Sequence, residues 1–198
     1  SPEAIFAASL TALESFRLPA AVAQAIHSLS PLRDAEKELA EVRKNGCTLL
    51  TWDEPTYPQR LREIYDPPPL LYVRGNAELL DRFSISIVGS RRPTPYGVQM
   101  SERLARDLAE RGLLIVSGLA RGIDSCAHKG ALSATRGATV GVLGSGIDVV
   151  YPKENKKLFA QMEERGVIIS EFPLGSFPAP QNFPIRNRVI AGMALGVV

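Results

Sequence analysis

The densest chemical signal in the chain is Val88-Gly89-Ser90-Arg91-Arg92-Pro93-Thr94-Pro95-Tyr96-Gly97. An apolar run precedes it and an amphipathic stretch follows, so it reads as a loop leading from a strand into a helix. Backbone N–H groups and hydroxyls in such a loop can cradle a phosphate, and the helix start adds a favourable dipole. Arg91 and Arg92 supply forked donors that match phosphate oxygens. The plainer reading is a tight turn with two solvated arginines, but a position at a strand's carboxyl end favours binding. Ser117-Gly118-Leu119-Ala120-Arg121-Gly122-Ile123-Asp124 repeats the theme, with glycines for close backbone approach and Arg121 for charge. Leu143-Gly144-Ser145-Gly146-Ile147-Asp148 repeats it again and runs into Tyr151-Pro152-Lys153-Glu154-Asn155-Lys156-Lys157. Lysines near a helix start oppose the helix dipole unless an anion lies close, although a solvated face is the alternative for Lys156 and Lys157. The last segment, Phe183-Pro184-Ile185-Arg186-Asn187-Arg188, adds two arginines around an asparagine expected at a helix cap. Phe177 and Phe183 suit either base stacking or core packing.

Several chemistries lack their residues. GxGxxG is missing, because Gly89 is followed by Ser90-Arg91, and GxxxxGK[ST] does not occur. A dinucleotide or a hydrolysed nucleotide is therefore disfavoured, and no cofactor is expected. Cys47 and Cys126 have no metal-type spacing and read as buried thiols of a reducing compartment. His27 and His128 are the only histidines, too few for a zinc site. Asp124 and His128 stand four apart on one predicted helix, which allows a general-base pair. With no nucleophile beside them, Asp124 as a helix cap and a structural hydrogen bond are the better reading. The net charge of +2 hides an asymmetry: residues 1–83 carry 9 basic and 12 acidic side chains, residues 84–198 carry 14 and 9. The positive excess of the second part points to an anionic partner. No apolar run reaches the roughly 18 residues of a membrane span, and no basic-then-apolar leader opens the chain, so a cytoplasmic protein is expected.

The elements that must hold these loops follow from periodicity. Residues 1–46 read as a small helical domain, with helices over Ala4–Phe16, Leu18–Leu29 and Ser30–Lys44. Residues 47–83 read as an ordered linker with short strands at Cys47–Trp52 and Leu70–Val73 around a proline-rich stretch. Residues 84–198 alternate strand, glycine-bearing loop and helix four times, the pattern of a Rossmann-like, doubly wound parallel sheet of the α/β class. Asn187–Leu195 reads as a helix and Gly196-Val197-Val198 as the start of a further strand, so the sheet is expected to be incomplete at its C-terminal part. A parallel sheet brings all four loops to one edge, and an extended basic groove there suits a polyanion.

The same stretches resemble the DNA-processing protein A (DprA/Smf) family of bacteria. The resemblance is carried by Ile87-Val88-Gly89-Ser90-Arg91, Thr94-Pro95-Tyr96-Gly97, Gly118 to Asp124 with Ala127-His128, Val142 to Asp148, Tyr151 to Asn155, Ser170-Glu171 and Phe183 to Gly192. It covers nearly all of the second part, and the helical start is similar to that family's SAM-like domain. The resemblance implies a non-enzymatic protein that binds single-stranded DNA, protects incoming DNA during natural transformation and helps load the recombinase RecA. It also implies a homodimer through the Rossmann-like domain. The family's DNA pocket maps onto Gly89, Ser90, Arg91 and Lys153, with Arg186, Asn187 and Arg188 beside it. The candidate DNA-binding set is thus Gly89, Ser90, Arg91, Arg92, Gly118, Arg121, Gly144, Ser145, Lys153, Asn155, Arg186, Asn187 and Arg188. A lysine that many relatives carry before the Phe-Pro motif is missing from Ala179-Pro180-Gln181-Asn182. The alternative is a nucleotide-processing enzyme like the phosphoribohydrolases, with Glu171 and Asp124 as its carboxylates, although their Pro-Gly-Gly-Xaa-Gly-Thr motif does not occur.

Overall fold

The structure, a computed structural model, describes residues 2–198, so residue 1 of the expected helical segment lies outside the described residues. The chain divides into one unit ending at Lys44 and a second spanning Asn45–Val198. The first unit is helical: α1 (Pro2–Phe6), α2 (Leu10–Ser15), α3 (Ala20–His27) and α4 (Ser30–Lys44). The single helix expected over Ala4–Phe16 is broken in two, because the Ser9 hydroxyl accepts from the Ala12 N–H and caps a new start. Pro19 sits at the start of α3, and Pro31 lies in the first turn of α4, where a missing N–H costs no hydrogen bond.

The second unit is built on a six-stranded sheet. Its strands are β1 (Thr48–Thr51), β2 (Leu70–Gly75), β3 (Ser84–Ser86), β4 (Leu114–Ser117), β5 (Thr139–Val142) and β6 (Val167–Ser170). The spatial order is β1-β2-β6-β5-β4-β3. β3 to β6 pair in parallel, with Val116 opposite Val140 and Val140 opposite Val167. β1 and β2 are antiparallel additions beyond β6. The segment 47–83, expected as an ordered linker with short strands, thus places those strands on the sheet itself. Leu50, Leu71 and Val73 extend the apolar face there, and β2 pairs along β6. The sheet is mixed, not purely parallel. At the opposite edge Val197 bridges Ser86 in parallel, so the end of the described chain lies as a strand beside β3, as its sequence suggests.

Helices cover both faces. They are α5 (Gln59–Arg62), α6 (Pro95–Glu110), α7 (Ile123–Ser133), α8 (Lys156–Arg165) and α9 (Asn182–Met193), with 3-10 turns at Ala77–Asp81 and Lys153–Asn155. Alternation along the strands explains the two layers. Leu114 and Val116 turn towards Leu61 of α5 and Val189, Ile190 and Met193 of α9. Ile115, between them, turns towards Ala105 and Ala109 of α6 and Ala127 and Ala131 of α7. The small alanines let these two helices pack closely on the sheet. On β3, the Ser84 and Ser86 hydroxyls each donate at 2.7 Å to the Met193 and Ile190 carbonyls. These are carbonyls at the end of α9 that lack partners within the helix, so α9 is pinned across the sheet. Among the described residues no helix is long and apolar enough to cross a membrane.

Candidate functional site

The carboxyl ends of β3, β4 and β5 open into one cleft, and each loop is shaped by bonds within itself. After β3, the Ser90 hydroxyl accepts from the Arg92 N–H at 3.1 Å, and the Thr94 hydroxyl accepts from the Gly97 N–H at 3.2 Å to start α6 behind Pro95. The Ser90 carbonyl accepts from the Ile123 N–H of the next loop at 3.1 Å. Gly122 makes that clip possible: its φ is +79°, and a Cβ there would lie 2.2 Å from the Ser90 carbonyl oxygen. No other residue fits both constraints. The two loops are thereby locked together, with Arg91 and Arg92 left exposed.

Asp124 organises the second loop. Its carboxylate accepts from the Gly118 N–H at 3.1 Å, and the N–H groups of Gly89 and Ala120 also favour its charged form. Burial pushes this carboxyl up, against the pull of Arg186 and the three N–H groups. Asp124 does not meet His128. That side chain is fully buried, and its Nε2 accepts from the Leu119 N–H at 3.3 Å. Its Nδ1 therefore carries the proton and donates to the Thr139 hydroxyl at 2.7 Å, which in turn donates to the Ile115 carbonyl at 2.6 Å. Burial, with Arg186 adding to it, pulls the His128 pKa down to about 3, so the ring stays neutral. Both ring nitrogens are engaged, which leaves His128 a structural strut, as the sequence suggests, with a different partner.

Arg186 departs most from expectation. The guanidinium is only 4% exposed and lies beneath the cleft. Nη1 donates to the Gly118 carbonyl at 2.8 Å and also to the Val142 carbonyl, joining the ends of β4 and β5 to α9. A Cβ at Gly118 would sit 2.5 Å from Nη1, so the buried guanidinium would have to shift. Burial pulls the Arg186 pKa down to about 10, opposed by Asp124 and reinforced by Arg91. Arg188 is also committed: it grips Glu171 through both terminal nitrogens at 2.6 and 2.7 Å, and its Nε donates to Asp66. Asn155 points inward, donating to the Leu119 carbonyl at 2.8 Å and the Ser125 hydroxyl at 2.9 Å. Ser145 is buried, with its hydroxyl towards the Val149 carbonyl. Of the expected contact residues, Arg186 and Asn155 therefore hold the loops from below, Ser145 lines the cleft with its hydroxyl turned to the Val149 carbonyl, and Asn187 lies exposed on α9. It is a helical residue rather than a cap, because α9 begins at Asn182.

What faces the cleft is a smaller group: Arg91, Arg121, Gly144, Tyr151, Pro152 and Phe183 are among its lining. The Phe183 ring packs over Gly144, with Tyr151 at 5.9 Å between ring centroids and tilted by 30°. The Arg91 guanidinium lies 5.3 Å from the Phe183 centroid on the cleft side, and buried Arg186 lies 5.9 Å from it. Arg121 is paired with Glu154 at the rim, both exposed. Lys153 is exposed in the 3-10 turn after Pro152. Tyr151 as an aromatic wall escaped the residue-by-residue reading. Its signal was its place between a glycine loop and Lys153. Among the described residues no cluster of His, Cys, Asp and Glu could hold a metal.

The DNA recombination-mediator protein A family model matches residues 48–198, which include every loop of this cleft. The chain belongs to that family. A protein Smf from Synechocystis is 42% identical over 164 residues, 81% of this chain and 41% of that protein. A DNA processing protein DprA from Streptococcus pneumoniae is 44% identical over 142 residues, 72% of this chain and 50% of that protein. The X-ray structure of DprA from S. pneumoniae matches with a TM-score of 0.80 at 37% identity, covering 90% of this chain and 61% of that one. DNA processing protein A from Helicobacter pylori, described for its single-stranded DNA binding mode, matches with a TM-score of 0.68 at 34% identity, covering 76% of this chain and 67% of that one. This chain spans about half the length of the curated relatives it matches.

Proposed function

We propose that this chain binds single-stranded DNA across the cleft, without chemical change to the strand, as a recombination mediator. The observation that carries this is the side-by-side placement of a cation and an aromatic wall: exposed Arg91 beside Phe183, with Tyr151 next to that ring. Arg91 and Lys153 neutralise backbone phosphates, while a base stacks on the ring faces, a contact that tolerates any sequence. The resemblance to relatives extends the proposal to protection of incoming DNA in the cytoplasm, transfer of the strand to RecA and homodimerisation through the α/β unit. The enzymatic alternative has less support, because both carboxylates it would use are occupied. Glu171 is held by Arg188, and Asp124 is buried against backbone N–H groups.

Fluorescence anisotropy with labelled oligonucleotides tests the reading. Single strands should bind more tightly than duplex of the same length, with affinity falling as salt rises. Equal binding of both forms, or no salt dependence, would contradict it.

A further inference from the structure

In doubly wound folds the strand-end loops and the helix starts that follow them usually present backbone N–H groups to a ligand phosphate. Here the position at the end of β4, beside the loop after β3, is already filled. The Asp124 carboxylate, 5% exposed, accepts from the Gly118 N–H at 3.1 Å, and the N–H groups of Gly89 and Ala120, from two loops, also favour its charged form. Leu119, between them, gives its N–H to His128, so it has no donor to offer a ligand. Behind the nest lies the buried Arg186 guanidinium, whose Nε has no hydrogen-bond partner. A buried cation beside converging N–H groups is an anion site, and the anion is a side chain of this protein.

We infer that Asp124 is a built-in anion that fills the backbone nest where such folds hold a nucleotide phosphate, and so restricts the cleft to ligands gripped by side chains at its rim. A free nucleoside phosphate depends on the nest for its grip, whereas a DNA strand presents successive phosphates and bases to Arg91, Lys153 and the aromatic wall. Asp124 is in this sense a specificity-determining residue for a phosphodiester chain over a mononucleotide. That selectivity rests on the DNA-binding reading above, but the occupancy of the nest does not.

Two variants of the 198-residue chain separate the possibilities. Asp124→Ala empties the nest, while Asp124→Asn keeps an oxygen in it and removes the charge. Thermal unfolding is followed in inorganic phosphate against chloride at equal ionic strength, and AMP binding is followed by calorimetry. Asp124→Ala should gain about 5 °C in Tm at roughly thirty times its phosphate Kd and bind AMP about tenfold more tightly than the unaltered chain. The unaltered chain and Asp124→Asn should show neither effect. An equal response in Asp124→Asn would overturn the inference, because charge and not occupancy would then govern. So would an Asp124→Ala chain that ignores phosphate, or one that stays unfolded in its presence. Oligonucleotide binding by the unaltered chain is titrated alongside; its loss would remove the DNA reading while leaving the phosphate response to judge the nest.

Discussion

Acidification should weaken this fold through His128. The ring is buried and neutral, with its pKa drawn from the ordinary 6.5 down to about 3. A depressed folded pKa means that the unfolded chain takes up the proton first. The stability is therefore complete above about pH 6.5 and is lost progressively as pH falls towards 3. At pH 5 the unfolded ring is almost fully protonated and the folded ring is not, which amounts to about 2 kcal/mol. Asp124 works in the opposite sense, since its raised carboxyl favours the folded state as it protonates. Comparison with His128→Gln removes that contribution, because Asp124 is present in both proteins. Urea unfolding at pH 7.5 and pH 5 should show the unaltered chain losing about 2 kcal/mol more than the variant. The same loss in both would refute the buried, neutral histidine and the Leu119–His128–Thr139 chain that fixes it.

The Arg188–Glu171 pair is partly buried, so Arg188→Met should cost about 1–3 kcal/mol in chemical unfolding. The salt slope of DNA binding should stay unchanged in that variant, because the guanidinium is already spent on Glu171 and Asp66. Gly118→Ala places a methyl against the Arg186 guanidinium and should lower stability by about 1–3 kcal/mol, read as a fall in Tm. Tyr151→Ala removes one wall of the aromatic platform and should weaken oligonucleotide binding by about 1–3 kcal/mol with little change in salt dependence.

The alternation of short apolar strands, glycine loops and helices made the parallel core readable from Ser84 onward, since period and turn chemistry agree there. β1 and β2 read as strands, but their membership of the sheet is a non-local pairing with β6 that no local pattern encodes. The loops also read correctly as convergent, because a parallel sheet leaves them no other place. Which side chains face the cleft was harder to see, since charge type does not fix direction. Arg186 shows why. Reading Phe183-Pro184 as loop delayed the helix to Asn187, whereas α9 starts at Asn182 and carries Pro184 in its first turn, where proline is tolerated. On that longer helix Arg186 shares a face with Val189, Ile190 and Met193, the face that packs on the sheet. Asp124 is similar: helical spacing puts it near His128, but a residue in the first turn can bend back to the loop, where the Gly118 N–H donates to it.

DNA binding as proposed here rests on Arg91 gripping a DNA backbone at the mouth of this cleft. Its most direct test is the affinity for a single-stranded oligonucleotide measured across a salt series for the unaltered chain and for Arg91→Ala. Arg91→Ala should lose about tenfold or more in affinity at low salt, with a fall of about one in the slope of log K against log salt. An unchanged affinity and an unchanged slope would contradict it.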